Sequence, residues 1–163
     1  MTIDKEILER IKSIKWFINC GKNITENINF EKKYIKNWKN AIEMIKGDNW
    51  NNITLEANNI LAEFLDNKFH SDFQNWNKIV RDGKLFLKEN IEQELSKSCK
   101  ENKINNDFLR SVLWDLLGAI MEDTYKKCKK RPVFFLHLLE IYESGNLPCG
   151  WEGKWPDGKL IVF

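Results

Sequence analysis

The 163-residue chain contains two histidines, so an acid–base or metal site has few places to form. His137 shares a narrow polar stripe with Glu140 in an otherwise apolar stretch from Pro132 to Tyr142. A second narrow stripe, Ser111, Asp115, Gly118 and Glu122, runs along an equally apolar stretch from Asp107 to Tyr125. Were the two stripes to face each other, Asp115, Glu122, His137 and Glu140 would make a carboxylate–imidazole cluster. Such a cluster can bind a metal ion or move protons. The alternative is that both stripes face water, or that His137 makes a single structural hydrogen bond. The spacing matches no zinc or hydrolase pattern. Catalytic residues, metal ligands and cofactors are therefore expected to be absent, and the chain reads as a non-enzyme.

Other chemistry is weaker still. His70 stands just before a helix cap. Cys149 lies between a proline and a glycine, with nothing basic nearby to lower its pKa. Cys20, Cys99, Cys128 and Cys149 contain no Cys-x-x-Cys pair and read as reduced, unpaired thiols. Phosphate-binding glycine loops, dinucleotide fingerprints and Gly-x-Ser-x-Gly elbows are missing. Trp151, Trp155 and Tyr142 could stack on bases, but aromatic platforms accompany a basic groove, and the tail has only Lys154 and Lys159 against Glu152 and Asp157. The run Lys126, Lys127, Lys129, Lys130 and Arg131 suits the C-terminal dipole of the preceding helix.

Charge gives the sharper signal. The net charge is only +2, which implies neither nucleic acid nor an anionic membrane as partner. Yet residues 1–47 hold 10 basic and 6 acidic side chains, net +4, and residues 48–95 hold 5 and 9, net −4. Within that acidic part, Glu56, Asn59, Glu63 and Asp66 align on one helical face. Glu56, Glu63 and Asp66 are the candidate partner-binding residues, facing a basic protein. The competing reading is a solvated helix face.

The elements that must position these residues follow from helical periodicity at about 100° per residue. From Asp107 to Tyr125 apolar residues cover more than half the circumference, as in a helix wrapped by others, with Asp107 as N-cap. With Pro132 to Tyr142 it forms a buried hairpin. Around it are predicted helices from Asp4 to Cys20, with Ile18 on the apolar face, and from Asn29 to Lys46. A turn at Asp48 to Asn52 leads to a third helix buried through Ile53, Ala57, Ile60, Leu61 and Phe64. A short helix capped by Ser71 and Gln74 ends at Asp82-Gly83, another spans Leu85 to Leu95, and Ser96 to Asn106 reads as a loop. The tail after Gly145 carries strand-like residues around Pro156-Asp157-Gly158, which implies a hairpin or clasp leaning on the helices. The expectation is thus all-α: a single-domain helical bundle of about seven helices spanning 1–163, with residues 146–163 as a hairpin-like tail. The charged N-terminus lacks a signal peptide's apolar core, and no apolar run reaches the about 20 residues of a membrane span. A cytoplasmic protein is expected.

The tail also carries a resemblance. Tyr142-Glu143-Ser144-Gly145-Asn146-Leu147-Pro148-Cys149-Gly150-Trp151-Glu152-Gly153, followed by Pro156-Asp157-Gly158-Lys159-Leu160, resembles the ending of bacterial immunity proteins of contact-dependent growth inhibition and related polymorphic toxin systems. The similarity covers roughly residues 107–163. It implies a non-enzymatic antitoxin that binds the C-terminal toxin domain of a large exported protein. Such toxins are often nucleases, including ones that cut transfer RNA. The implied partner is the cognate toxin domain, with elongation factor Tu as an optional further component and no direct contact with nucleic acid or membrane. Immunity proteins against nucleases are often markedly acidic, and this chain is at +2; an electrostatic match must be local. The rival functions are a nucleic-acid-associated helical protein, using the basic N-terminal segment and the Lys126–Arg131 link, and a small enzyme built on Asp115, Glu122, His137 and Glu140.

Overall fold

Seven helices and three short strands form among the described residues, which in this computed structural model are 2–22, 32–35, 37–69 and 73–163. In chain order they are α1 (Lys5–Lys12), β1 (Lys32–Tyr34), α2 (Trp38–Lys46), α3 (Asp48–Phe69), α4 (Phe73–Asn90) and α5 (Glu92–Glu101). Then follow α6 (Asn106–Thr124), α7 (Phe134–Glu143), β2 (Pro148–Glu152) and β3 (Lys159–Val162). The fold is mostly α-helical, as the periodicity predicts.

α6 is the axis of the molecule. Val112, Leu116, Ala119 and Ile120 are fully buried, and α1, α3, α4, α5 and α7 all pack against this helix. One hydrophobic cluster runs from Ile7 to Phe163. The helix is capped two residues earlier than the expected Asp107: the Asn105 side chain accepts from the Phe108 amide at 3.0 Å.

Several boundaries differ from the periodic reading, each for an identifiable reason. α1 stops at Lys12, and the chain then turns, with Phe17 at φ 58°. The turn brings Trp16 onto Tyr142, ring centroids 5.6 Å apart, and leaves Ile18 58% exposed instead of buried. The helix expected from Asn29 starts only at Trp38, where the Asn37 side chain accepts from the Asn40 amide. Residues 32–34 pair instead with the outer edge of β3, which would otherwise present unpaired backbone groups. Residues 29–31 and 36 of that expected helix, and His70 and the Ser71 half of the expected capping box, lie outside the described residues.

Asp48 to Asn52 is the first turn of α3 and not a separate turn, because Trp50 is drawn into the core and Asn49 donates to the Trp151 carbonyl at 3.1 Å. α4 continues through Gly83 because a side chain there would meet Leu117 of α6 at 2.9 Å. The glycine permits a close helix crossing, and it ends nothing. The loop expected from Ser96 is largely α5, held by buried Leu95 and Cys99.

The tail forms the hairpin. β2 and β3 pair antiparallel with an irregularity between Pro148 and Gly150, and β1 adds to the far edge in parallel, giving the order β1-β3-β2. Leu147 and Phe163 exchange backbone hydrogen bonds at 2.7 and 2.8 Å. Leu160 to Phe163 are buried beneath the helices, so the sheet is part of the core.

Candidate functional site

The 4-3-4 spacing of Ser111, Asp115, Gly118 and Glu122 puts them on one side of α6, and from Asp115 to Glu122 that side meets α7. At its middle the helices nearly touch: a side chain at Gly118 would come within 2.5 Å of the Phe135 ring. Each carboxylate serves α7. Tyr142 Oη donates to Asp115 Oδ2 at 2.7 Å. Glu122 accepts from the Phe135 and Leu136 amides at 3.1 and 2.8 Å, capping a helix whose own N-cap, Val133, has no side chain able to do so. Arg131 donates to the Glu122 carbonyl at 2.7 Å.

The four-residue acid–base cluster therefore does not assemble. His137 pairs with Glu140 one turn along the same helix, Nδ1 to Oε2 3.9 Å. Among the described residues no group of three His, Cys, Asp or Glu side chains could hold a metal ion. Burial pushes Asp115 up to about 7 despite the Tyr142 hydrogen bond. Burial likewise pushes Glu122 up to about 7, against the pull of the α7 amides and Arg131. His137 is lowered by burial and partly restored by Glu140.

The residues of the tail motif are structural in the same sense. Glu143 accepts from Arg10 Nε and Nη2, at 2.7 and 3.1 Å. Asn19 donates to the Ser144 carbonyl at 2.8 Å, and Asn146 donates back to the Asn19 carbonyl at 3.4 Å. Gly145 sits at φ 77°, where a side chain would also strike the Asn19 amide, so this turn requires glycine. Burial pushes the Cys149 thiol up to about 12, which removes it as a nucleophile at neutral pH. Trp151 and Trp155 pack edge-to-face on each other, 5.0 Å between centroids, and Trp155 packs likewise on Phe134. Lys126 of the basic link reaches Asp4 at 2.7 Å and Asp123 at 3.7 Å.

A large concavity with mixed chemistry lies between α3, α4 and α6. It is a groove of about 630 Å³. Leu61 and Leu65 of α3, Val80 of α4, and Leu117 and Met121 of α6 give it an apolar floor, and Asn51, Asn58, Asn59 and Asn77 supply amide groups. Among the described residues Asp115 is its only ionisable lining residue, and it is 3% exposed. On its lips stand Leu55, 59% exposed, and Trp114, 54% exposed. Across Trp114 a smaller pocket of about 180 Å³ is rimmed by Lys84, Lys88, Arg110 and Glu92, with Lys84 Nζ 5.1 Å from the Trp114 ring centroid.

Periodicity alone did not reveal this groove. Trp114 lies within the broad apolar arc of α6, and Leu55 falls off the apolar stripe of α3. Ile60, placed on that stripe by its spacing, is 42% exposed. The signal available in the sequence was Leu55 itself, a large apolar residue beside the acidic face. Glu56, Glu63 and Asp66 are all exposed on α3, and Asn59 of the same face lines the groove. Apolar surface, amide groups, one carboxyl and large exposed apolar lips are equipment for recognition. Compared with known proteins, the chain matches no family model, no characterised sequence and no solved structure.

Proposed function

We propose that this chain is an immunity protein. It binds the C-terminal toxin domain of a contact-dependent inhibition system, a nuclease on this reading, and neutralises it by occluding the active site. The observation that carries the reading is the surface around Trp114 and Leu55. Two large apolar side chains stand more than half exposed at the lips of an amide-lined groove, beside the acidic face of α3. Exposed tryptophan at the edge of a concavity is the kind of anchor on which protein interfaces concentrate their binding energy. The resemblance of the tail supports the same class. Elongation factor Tu enters, if at all, as a companion of the toxin.

The test is co-production with the toxin domain of the large exported protein encoded beside this chain's gene. Growth should be restored, a stable one-to-one complex should survive gel filtration, and the chain alone should hydrolyse no RNA or DNA. Absence of both protection and binding discards the reading.

A further inference from the structure

We infer that the α3/α4/α6 groove is the docking site for a cationic amphipathic helix of the partner protein, an inference that rests on the immunity reading for the partner's identity. The argument is geometric and electrostatic. Numbered at about 100° per residue, Leu55, Asn59 and Ala62 face the groove, Glu63 and Glu56 follow round α3 at about 80° and about 100° from Leu55, and Asp66, about 20° from Leu55, stands in line with the groove-facing residues just past Leu65, all on the side away from the core. The acidic face is thus the outer shoulder of the groove. Among the described residues no lysine or arginine lines the groove, and Asp115, the one ionisable lining group, is buried and held by Tyr142.

An occupant must therefore present apolar side chains downward and positive charge sideways. The groove follows α3 from Asn51 to Leu65, so a partner helix of about 14 residues, roughly 21 Å long, matches its length. Such an element reads its groove through anchors at helical spacing. The pocket beyond Trp114, where Lys84, Lys88 and Arg110 outnumber Glu92, marks the other boundary, because its net positive charge repels a cationic segment that strays across the tryptophan. A small apolar amine would also fit a cleft of this volume. The exposed lips favour the longer occupant, since Leu55 and Trp114 offer contact area outside the cavity.

The probe is a synthetic amphipathic leucine–lysine helix of about 14 residues, titrated into the full chain and followed by calorimetry and by the Trp114 indole resonance. Its leucine–glutamate counterpart and hexylamine serve as comparisons. The lysine peptide should shift Trp114 and neighbouring α3 amides, and added salt should weaken it. Leu55→Ser and the triple variant Glu56→Lys, Glu63→Lys, Asp66→Lys should each weaken binding about tenfold or more while circular dichroism stays unchanged. The inference is overturned if the lysine peptide leaves these resonances unmoved, if the glutamate peptide binds as well, or if hexylamine alone reproduces the shifts. Those outcomes leave growth protection by co-production standing, whereas failed protection with intact peptide binding removes the toxin and keeps the groove.

Discussion

Replacing Asp115 by asparagine should flatten the pH dependence of stability. Asp115 is buried between α6 and α7, and its carboxyl is pushed from an ordinary value of 3.8 up to about 7. A group whose folded pKa is raised holds its extra proton in the folded state, so its stabilising contribution is complete below about pH 4. That contribution is lost as pH rises, and is gone above about pH 7. Between pH 5 and pH 8 the loss for these two values is roughly 2–3 kcal/mol, from RT times the logarithm of the ratio of the two binding polynomials. Asparagine keeps an oxygen to accept from Tyr142 and does not titrate. Urea unfolding at both pH values should therefore show a smaller decline in the variant than in the native chain, by about 2 kcal/mol. His137 slopes the opposite way, since burial lowers its pKa, but it is common to both proteins and cancels in the difference. Equal declines in the two proteins, within about 0.5 kcal/mol, would refute the claim that Asp115 folds as a buried, protonated acid.

Two further structural outcomes follow from the same helix pair and from the sheet. Glu122→Ala leaves the Phe135 and Leu136 amides buried without an acceptor and should destabilise by about 3 kcal/mol, with Glu122→Gln milder; urea unfolding together with amide exchange over residues 134–138 measures both. Deleting residues 151–163 removes β3 and the centre of the sheet, so it should expose apolar surface and yield aggregates in light scattering; a soluble truncation with unchanged melting temperature would show the tail to be a free appendage.

How much of this was legible in the sequence depends on which forces were local. The central helix was readable because its apolar arc is wide enough to demand burial on nearly every side. The hairpin was readable because turn chemistry at Pro156-Asp157-Gly158 is local. β1 was not, since Lys32 to Tyr34 become a strand only because β3 leaves an edge open at the opposite end of the chain. Gly83 was misread for a related reason: glycine ends a helix in isolation, but here it lets α4 approach Leu117 of α6. The polar stripe Asp115–Glu122 is legible as a shared face, but neither reading open to it, a proton-moving cluster or a solvated stripe, is what α7 makes of it. Periodicity shows that such residues share a face, and it cannot say that α7 offers them a hydroxyl and two amides. The groove was the hardest to see, because it arises where α3 and α6 fail to close on each other.

That division has a consequence for how a molecule of this kind changes partner. The motif from Tyr142 to Leu147 is spent on holding α7 to α6 and to the turn at Asn19, so substitutions there disturb buried hydrogen bonds and cost kilocalories. Leu55, Glu56, Glu63, Asp66 and Trp114 lie on the surface, where a substitution typically moves stability by about 0.5 kcal/mol or less. On the immunity reading, specificity for one toxin can therefore be rewritten on α3 and at Trp114 with the fold untouched. Exchanging Glu56, Glu63 and Asp66 for lysines tests this directly. The variant should keep the native melting temperature to within a few degrees, lose its cationic peptide, and gain affinity for the glutamate counterpart, because reversing a shoulder charge turns attraction into repulsion for one ligand and the opposite for the other. A melting temperature that collapses with the reversal would instead make the acidic face part of what holds α3 in place, and fold and recognition would not be separable there.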